Sequence, residues 1–412
     1  MTLADYKDRI NAAVDYDAVK NMMVKLVQTP SPQTGLMEAE PQILAFIRNV
    51  VEPELRAMGV TNITYDGMGN LIARYGKGTS GKRLMMVTHA MNAAAATMPE
   101  PYAGTIVDGA EYGLPGQAVK ARGICEQKAG MAALLMALRT IIDLGLDLDG
   151  EVIFTTLTSG ETGKHDAITS VVEGEGMTAD YALIDGDGLK VRLGNRGRVD
   201  MFITVYGEPS HSGSPFKGCN AITGARHVMD KIQAEATLPD PHPDLGACTL
   251  TFVHIRSFPD ATHTVQERCE ITVDRRLLPG DDPDEVFREI SSIAKSVEAM
   301  TDPVSGKGWR VECVKGPFMY PHLVGADSQI VSMIGDASEA MLGYRPETHF
   351  GQSAFDQGYL NHIGIQTANY GPGEDQFAHT DFDMASIDRT VDGTKVYALI
   401  ACDYLGAVAK GA

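Results

Sequence analysis

The sequence predicts an α/β protein in which a domain built on a mostly parallel, mixed sheet is interrupted by a smaller α+β domain. In the first part of the chain, apolar runs suited to buried strands alternate with segments of helical spacing. Near Arg198 the order changes to β-α-β-β-α-β, which is the ferredoxin-like arrangement. After residue 315 the α/β pattern returns. The expected boundaries are therefore 1–197 and 316–412 for the split domain, and 198–315 for the insertion.

Helices and strands of the split domain are predicted from these patterns. Pro30 and Pro32 end the first helix, and Gly59 ends the second. Continuous apolar runs are typical of strands that are buried on both faces. The predicted helices cover 17–28, 38–58, 128–144, 327–342 and 388–405, and the predicted strands cover 84–88, 151–158 and 180–184.

The insertion is predicted to contain four strands and two helices. Its second helix begins at Asp281-Asp282-Pro283, because proline fits the first turn of a helix. The predicted strands cover 199–206, 248–255, 268–276 and 309–314, and the helices cover 220–234 and 283–300.

Composition excludes several partners. The 35 Lys and Arg residues stand against 54 Asp and Glu residues, which gives a formal net charge of −19. Nucleic acid and anionic membrane surfaces both reward basic patches, so neither is an expected partner. No apolar run approaches the roughly 20 residues of a membrane helix. The first residues lack the apolar core of a signal peptide, so a cytoplasmic location is expected.

Five polar side chains are placed where a sheet of this kind binds ligands. His89, Glu161 and Asp185 follow three buried strands, Glu126 precedes the long helix, and His379 follows a glycine-rich segment near the C-terminus. Ligands bind outside the carboxyl ends of parallel strands. Imidazole and carboxylate groups together suit Zn²⁺, Mn²⁺ or a similar divalent ion. The pattern predicts a metal site.

Three longer motifs carry a resemblance to a known family. They are 207–215 with His211, 271–280 with Arg276, and Ala378-His379-Thr380. In these motifs and in element order, residues 17–405 resemble the ArgE/DapE/carboxypeptidase-G type of metal-dependent hydrolases, which include peptidase T and the aminoacylases. The resemblance implies a phosphorylase/hydrolase-like, mixed-sheet catalytic domain. It also implies that the ferredoxin-like insertion is a lid that carries dimerisation, giving a homodimer or a higher homo-oligomer.

The resemblance also implies roles for individual residues. His211 stabilises the oxyanion, in dimeric members from the partner subunit, and Glu161 acts in catalysis. Arg276 binds the carboxylate of a small-molecule substrate, while His263 and Ser353 occupy other substrate-side positions. The implied metal ligands are His89, Glu126, Glu161, Asp185 and His379.

Departures from the family pattern affect the metal site. The family motif His-x-Asp is His89-Ala90-Met91 here, and Glu126 replaces a bridging Asp. The family motif Asp-Glu-Glu-x-Gly is matched by residues 159–163. In one register Glu161 is a metal ligand and Gly160 replaces the catalytic base; in the register shifted by one residue, Glu161 is the base. One divalent metal per subunit (Mn, Zn or Co) or a labile pair is therefore expected.

Three functions are compatible with this pattern. The leading hypothesis is a metal-dependent hydrolase that cleaves a C–N bond in a small, carboxylate-bearing molecule, as an amidohydrolase, deacylase or dipeptidase does. The second is an aminohydrolase that converts an aromatic amine such as 5-nitroanthranilate to the phenol. The third is a non-catalytic binding protein.

Overall fold

The computed structural model describes residues 3–409 and divides into two compact units. The first unit comprises the residues up to 194, residues 324–350 and the residues from 359 onward. The second unit comprises residues 195–323 together with residues 351–358. The short return of 351–358 to the second unit is not visible in the sequence pattern, because a glycine-containing loop has no periodicity that assigns it to either unit.

The helices and strands follow one another in both units. The helices are α1 Leu3–Ala13, α2 Tyr16–Val27, α3 Pro41–Phe46, α4 Glu52–Ala57, α5 Ala129–Asp143, α6 Asp166–Thr169, α7 Ala221–Glu235, α8 Pro283–Lys295, α9 Gln329–Leu342, α10 Gln357–His362 and α11 Ile387–Leu405. The strands are β1 Asn62–Tyr65, β2 Leu71–Gly76, β3 Arg83–His89, β4 Thr105–Asp108, β5 Gln117–Lys120, β6 Leu146–Leu148, β7 Glu151–Leu157, β8 Tyr181–Ile184, β9 Val191–Asn195, β10 Gly197–Tyr206, β11 Ser210–His211, β12 Leu250–Phe258, β13 Thr264–Val265, β14 Arg268–Leu277, β15 Arg310–Met319, β16 His322–Leu323, β17 Thr348–Gly351, β18 Gln366–Asn369, β19 Met384–Ser386 and β20 Ala407–Ala409.

The first unit is built on a mixed sheet with the strand order β1-β2-β7-β3-β8-β18-β9. The four central strands β7, β3, β8 and β18 run parallel to one another. The flanking strands run antiparallel to their neighbours. Strand β2 is antiparallel to both β1 and β7, and β9 is antiparallel to β18. Helix α5 is buried along most of its length and packs against α11, as its alanine- and leucine-rich sequence requires.

The second unit has a four-stranded antiparallel sheet with the order β12-β14-β10-β15. Helices α7 and α8 cover one face and enclose an apolar core that includes Trp309. Along the chain the elements run β10-α7-β12-β14-α8-β15, so the ferredoxin-like prediction for the insertion is confirmed.

The predicted fold class is confirmed, and most of the elements missed in the sequence are short strands; helix α1 was not predicted either. Every missed strand, from two-residue β11 to six-residue β2, is shorter than the seven residues of the predicted strands β3 and β7, and none carries a long apolar run. The antiparallel hairpin of β1 and β2 contributes to making the sheet mixed. Among residues 3–409, no helix is both long and apolar enough to cross a bilayer.

Candidate metal centre

Four of the five predicted metal ligands follow the parallel strands of the first unit. His89 is the last residue of β3, and Asp185 comes directly after β8. Glu161 lies in the loop after β7, and His379 lies in the segment after β18. Since the carboxyl ends of parallel strands share one edge of the sheet, the fold directs these residues to the same edge.

Three of these side chains converge closely. In the part of the chain that the structure describes, Glu126, Glu161 and His379 each offer a ligand atom within 4.8 Å of the other two. Nε2 of His379 lies 3.1 Å from Oε1 of Glu126 and 3.8 Å from Oε2 of Glu161. His89 and Asp185 are outside this close group.

Glu126 is presented by a π-helical turn. Residues Ile124–Lys128 form this turn immediately before α5, after Gly123 has adopted a left-handed conformation with φ of 78°. Local π-helical turns are frequent at functional sites, because the wider turn redirects side chains. Oε2 of Glu126 is buried and has no hydrogen-bond partner among the described residues. A buried carboxylate oxygen without a partner is costly unless a cation or a donor meets it.

His379 is held in a strained backbone conformation. Its φ is +60°, a region that non-glycine residues seldom occupy and that is concentrated at functional sites. The hydrogen bond to Glu126 raises the pKa of the His379 ring above its ordinary value. The side chain is 56% exposed, so the ring is accessible to solutes as well as bonded to Glu126.

Asp185 occupies a niche that two glycines leave open. A Cβ atom on Gly130 would lie 2.2 Å from the carboxyl carbon, and one on Gly371 would lie 1.8 Å from Oδ1. Burial raises the pKa of the Asp185 carboxyl well above its ordinary value, although the backbone N–H groups of Gly186 and Gly130 oppose the shift. Oδ2 is buried and lacks a hydrogen-bond partner within residues 3–409. This carboxylate is therefore placed to be stabilised by a cation.

His89 is oriented by the backbone. Its Nδ1 lies 2.8 Å from the carbonyl oxygen of Met91. The donor set of imidazoles and carboxylates, with two buried carboxylate oxygens unpartnered among the described residues, fits a divalent transition metal.

Two predicted histidines lie at a short two-stranded sheet of the second unit. His211 is exposed and belongs to β11, which pairs with β13. His263 directly precedes β13, and its carbonyl accepts a hydrogen bond of 3.0 Å from the backbone N–H of Ser212. The pairing of these two short strands therefore places both histidines at the same end of this small sheet.

The other two predicted substrate-side residues also belong to the second unit. Arg276 on β14 forms an ion pair with Asp274 at 3.0 Å. Ser353 is exposed in the 351–358 segment. The position of Arg276 follows from the register of the antiparallel sheet, in which it lies opposite Arg198.

Three buried or partly buried residues support the site and were not identified as functional from the sequence. Gln127 donates to the carbonyls of Ala90 and Met91. Gln33 donates to the carbonyl of Glu161 at 2.6 Å. The carboxylate of Asp383 accepts hydrogen bonds from the backbone N–H groups of Gly123 and Cys125, in the turn that leads to Glu126. Only adjacency to Glu126 could have drawn attention to Gln127, and the other two contacts depend on the tertiary fold.

Comparisons with known proteins agree with this architecture. Residues 193–301 match the peptidase dimerisation domain. The chain is 25% identical over 295 residues to a succinyl-diaminopimelate desuccinylase of Cereibacter sphaeroides, covering 68% of this chain and 73% of the relative. It is 28% identical over 240 residues to carboxypeptidase G2 of a Pseudomonas species, covering 55% of this chain and 54% of the relative.

A solved structure extends the likeness to nearly the whole chain. The aminopeptidase PepT of Bacillus cereus superposes with a TM-score of 0.71 at 18% sequence identity, covering 95% of this chain and 99% of that one. At this identity the likeness concerns the fold. Together with the sequence relatives, which are hydrolases acting on C–N bonds, it confirms the resemblance that the motifs indicated.

Proposed function

We propose that this relative of the desuccinylases and of carboxypeptidase G2 is a divalent-metal-dependent hydrolase that cleaves an amide C–N bond in a small, carboxylate-bearing molecule. The convergence of Glu126, Glu161 and His379 within 4.8 Å is the observation that carries the proposal. The relatives favour amide hydrolysis over the aromatic amine considered above, since their names describe a desuccinylase and a carboxypeptidase.

The proposed cation ligands are His89, Glu126, Asp185 and His379, and Glu161 is a fifth ligand in the alternative register in which it is not the base. Mn²⁺, Zn²⁺ and Co²⁺ all suit imidazole and carboxylate donors, and we propose one ion per subunit or a labile pair. When bound, such an ion activates water and polarises a carbonyl oxygen.

Glu161 is the proposed proton carrier. One carboxylate oxygen lies 3.8 Å from Nε2 of His379, and the partly buried side chain stands in the close group. Gly160 is not available for this role, because a glycine has no side chain and the His89 ring fills the adjacent space. In the proposed reaction Glu161 takes a proton from the attacking water and delivers it to the leaving nitrogen.

Residues of the second unit have roles in the proposed reaction as well. His211 stabilises the negative charge that develops on the carbonyl oxygen, and Arg276 binds the substrate carboxylate in a bidentate manner. His263 and Ser353 contact the substrate. Arg276 would have to exchange its ion pair with Asp274 for the substrate, so its affinity for a carboxylate is moderated.

We propose a homodimer formed through the second unit. Strand β12 lies at the edge of its sheet, and two of its apolar side chains, Val253 and Ile255, are 57% and 53% exposed. An edge strand with exposed apolar residues is a template for pairing with another chain. The match to the peptidase dimerisation domain supports this proposal.

The experiment measures hydrolysis of N-acyl amino acids and dipeptides by metal-stripped protein to which Mn²⁺, Zn²⁺ or Co²⁺ is added separately. Turnover should depend on added metal and should be lost in Glu161→Gln and His379→Ala, while the exposed-loop control Glu175→Gln keeps wild-type rates. Absence of turnover on every substrate with every metal would overturn the proposal and favour the binding function.

A further inference from the structure

The His89 ring has a defined tautomer in this structure. Its Nδ1 faces the carbonyl oxygen of Met91 at 2.8 Å. A carbonyl oxygen can only accept a hydrogen bond, so Nδ1 carries the proton. In the neutral ring, Nε2 is then the nitrogen with a lone pair, and it is the atom that can ligate a cation.

Gln127 holds the carbonyl that orients this ring. Its Nε2 donates to the Met91 carbonyl at 3.1 Å and to the Ala90 carbonyl at 3.3 Å. The side chain is 2% exposed, so water does not replace these bonds. Gln127 also directly follows Glu126 in the chain. It therefore links two proposed ligands, because it is the neighbour of Glu126 and contacts His89 indirectly, through the Met91 carbonyl.

Gly160 provides the space that this ring orientation requires. A Cβ atom at this position would lie 2.1 Å from Nδ1 and 2.3 Å from Cγ of His89. Any larger residue would displace the ring from the Met91 carbonyl. The two departures from the family motifs, at Met91 and at Gly160, thus meet on the same imidazole.

We propose that Gln127 is a positioning residue that, through the Met91 carbonyl, fixes the Nδ1–H tautomer of His89 and so takes the place of the aspartate absent from position 91. This inference rests on the proposed function in that His89 is assigned as a metal ligand. Metal-binding histidines commonly donate their second ring N–H to a carboxylate or a backbone carbonyl, and loss of that partner typically lowers metal affinity about 10–100-fold.

The test uses Gln127→Met, which is close in shape and removes the donor. Two quantities are measured on full-length protein: the tautomer of His89 in the metal-free state, by ¹⁵N NMR of labelled imidazoles assigned with His89→Gln, and the dissociation constant for Mn²⁺ by calorimetry. The matched control is Thr140→Val in α5, which also removes one buried side-chain hydrogen bond, from Oγ1 to the Met136 carbonyl.

Wild type and the control should show protonated Nδ1 and the same affinity for Mn²⁺. Gln127→Met should show a mixture of tautomers and bind Mn²⁺ about 10–100-fold more weakly. Protonated Nε2 in the wild type, or a Gln127→Met variant that matches the control in both measurements, would overturn the inference. Neither measurement requires turnover, so failure of the proposed hydrolysis is detected separately by the substrate experiment.

Discussion

Asp383 fixes the turn that leads to Glu126. Its side chain is fully buried, and its two carboxylate oxygens accept from the backbone N–H groups of Gly123 at 2.6 Å and Cys125 at 3.1 Å. These two donors flank the beginning of the π-helical turn that presents Glu126. Removing the carboxylate should therefore affect both folding stability and the metal site.

The change considered is Asp383→Ala. It leaves two buried backbone donors without an acceptor, and each such donor costs about 1–3 kcal/mol, so the free energy of unfolding should fall by about 2–6 kcal/mol. Arg122, whose Nη1 lies 3.5 Å from Oδ2, loses a buried partner as well. Asp383→Asn keeps one acceptor oxygen and should lose less.

Urea unfolding of the metal-free protein measures the stability, and calorimetry measures the affinity for Mn²⁺. The control is Asp143→Ala, a surface carboxylate paired with Arg139, which should change stability by less than about 0.5 kcal/mol. If Asp383→Ala unfolds like this control and binds Mn²⁺ like wild type, the argument from the buried hydrogen bonds is refuted.

The contribution of Asp383 to the free energy of unfolding should also depend on pH, with a defined sign. Burial raises the pKa of Asp383 from 3.8 to about 6. Between pH 3.8 and about pH 6 the folded state therefore binds a proton that the unfolded state releases. The stabilisation that this proton gives the folded state is full below pH 3.8 and is lost as pH rises through 6. At about 1.4 kcal/mol per pKa unit, it amounts to about 3 kcal/mol. The difference between wild type and Asp383→Asn should show it.

Three further predictions concern other positions. Burial lowers the pKa of His322 from 6.5 to about 4, so the stability that its neutral ring contributes is full above pH 6.5 and is lost as pH falls through 4. Urea unfolding across this range should show a loss of about 3 kcal/mol in the wild type and no such loss in His322→Gln. Gly160→Ala should displace the His89 ring and weaken Mn²⁺ binding about 10–100-fold, and an unchanged dissociation constant would contradict the crowding described at this position. Ile255→Arg places a charge on the exposed edge strand β12 and should convert the proposed dimer to monomer in analytical ultracentrifugation, whereas a dimer that persists would place the interface elsewhere.

Much of the candidate site could be predicted from strand ends. The apolar runs that form β3, β7 and β8 are long enough to be recognised, and His89, Glu161 and Asp185 lie at or after the ends of these strands. Parallel strands place their carboxyl ends together, so the position of these residues follows from local pattern and a general rule of sheet topology.

The contacts that orient these residues could not be predicted. The sequence indicated that His89 lacks its usual aspartate, and the expected consequence was weak metal binding. In the structure Nδ1 of His89 faces the Met91 carbonyl, to which Gln127 also donates, because the backbone carbonyl of any residue type can accept a hydrogen bond from imidazole. A sequence motif is defined by side chains, so it cannot reveal that a backbone carbonyl accepts the hydrogen bond.

The sequence by itself determined the fold class, the ferredoxin-like insertion and the residue types available for a metal site, since these depend on periodicity, element order and composition. Only the tertiary structure decided which of the predicted ligands converge, and that Gly160, Gln127 and Asp383 lie against them or against their neighbours in the chain. These contacts join residues far apart in the chain, such as Asp383 and Gly123, and their geometry is set by packing rather than by local sequence.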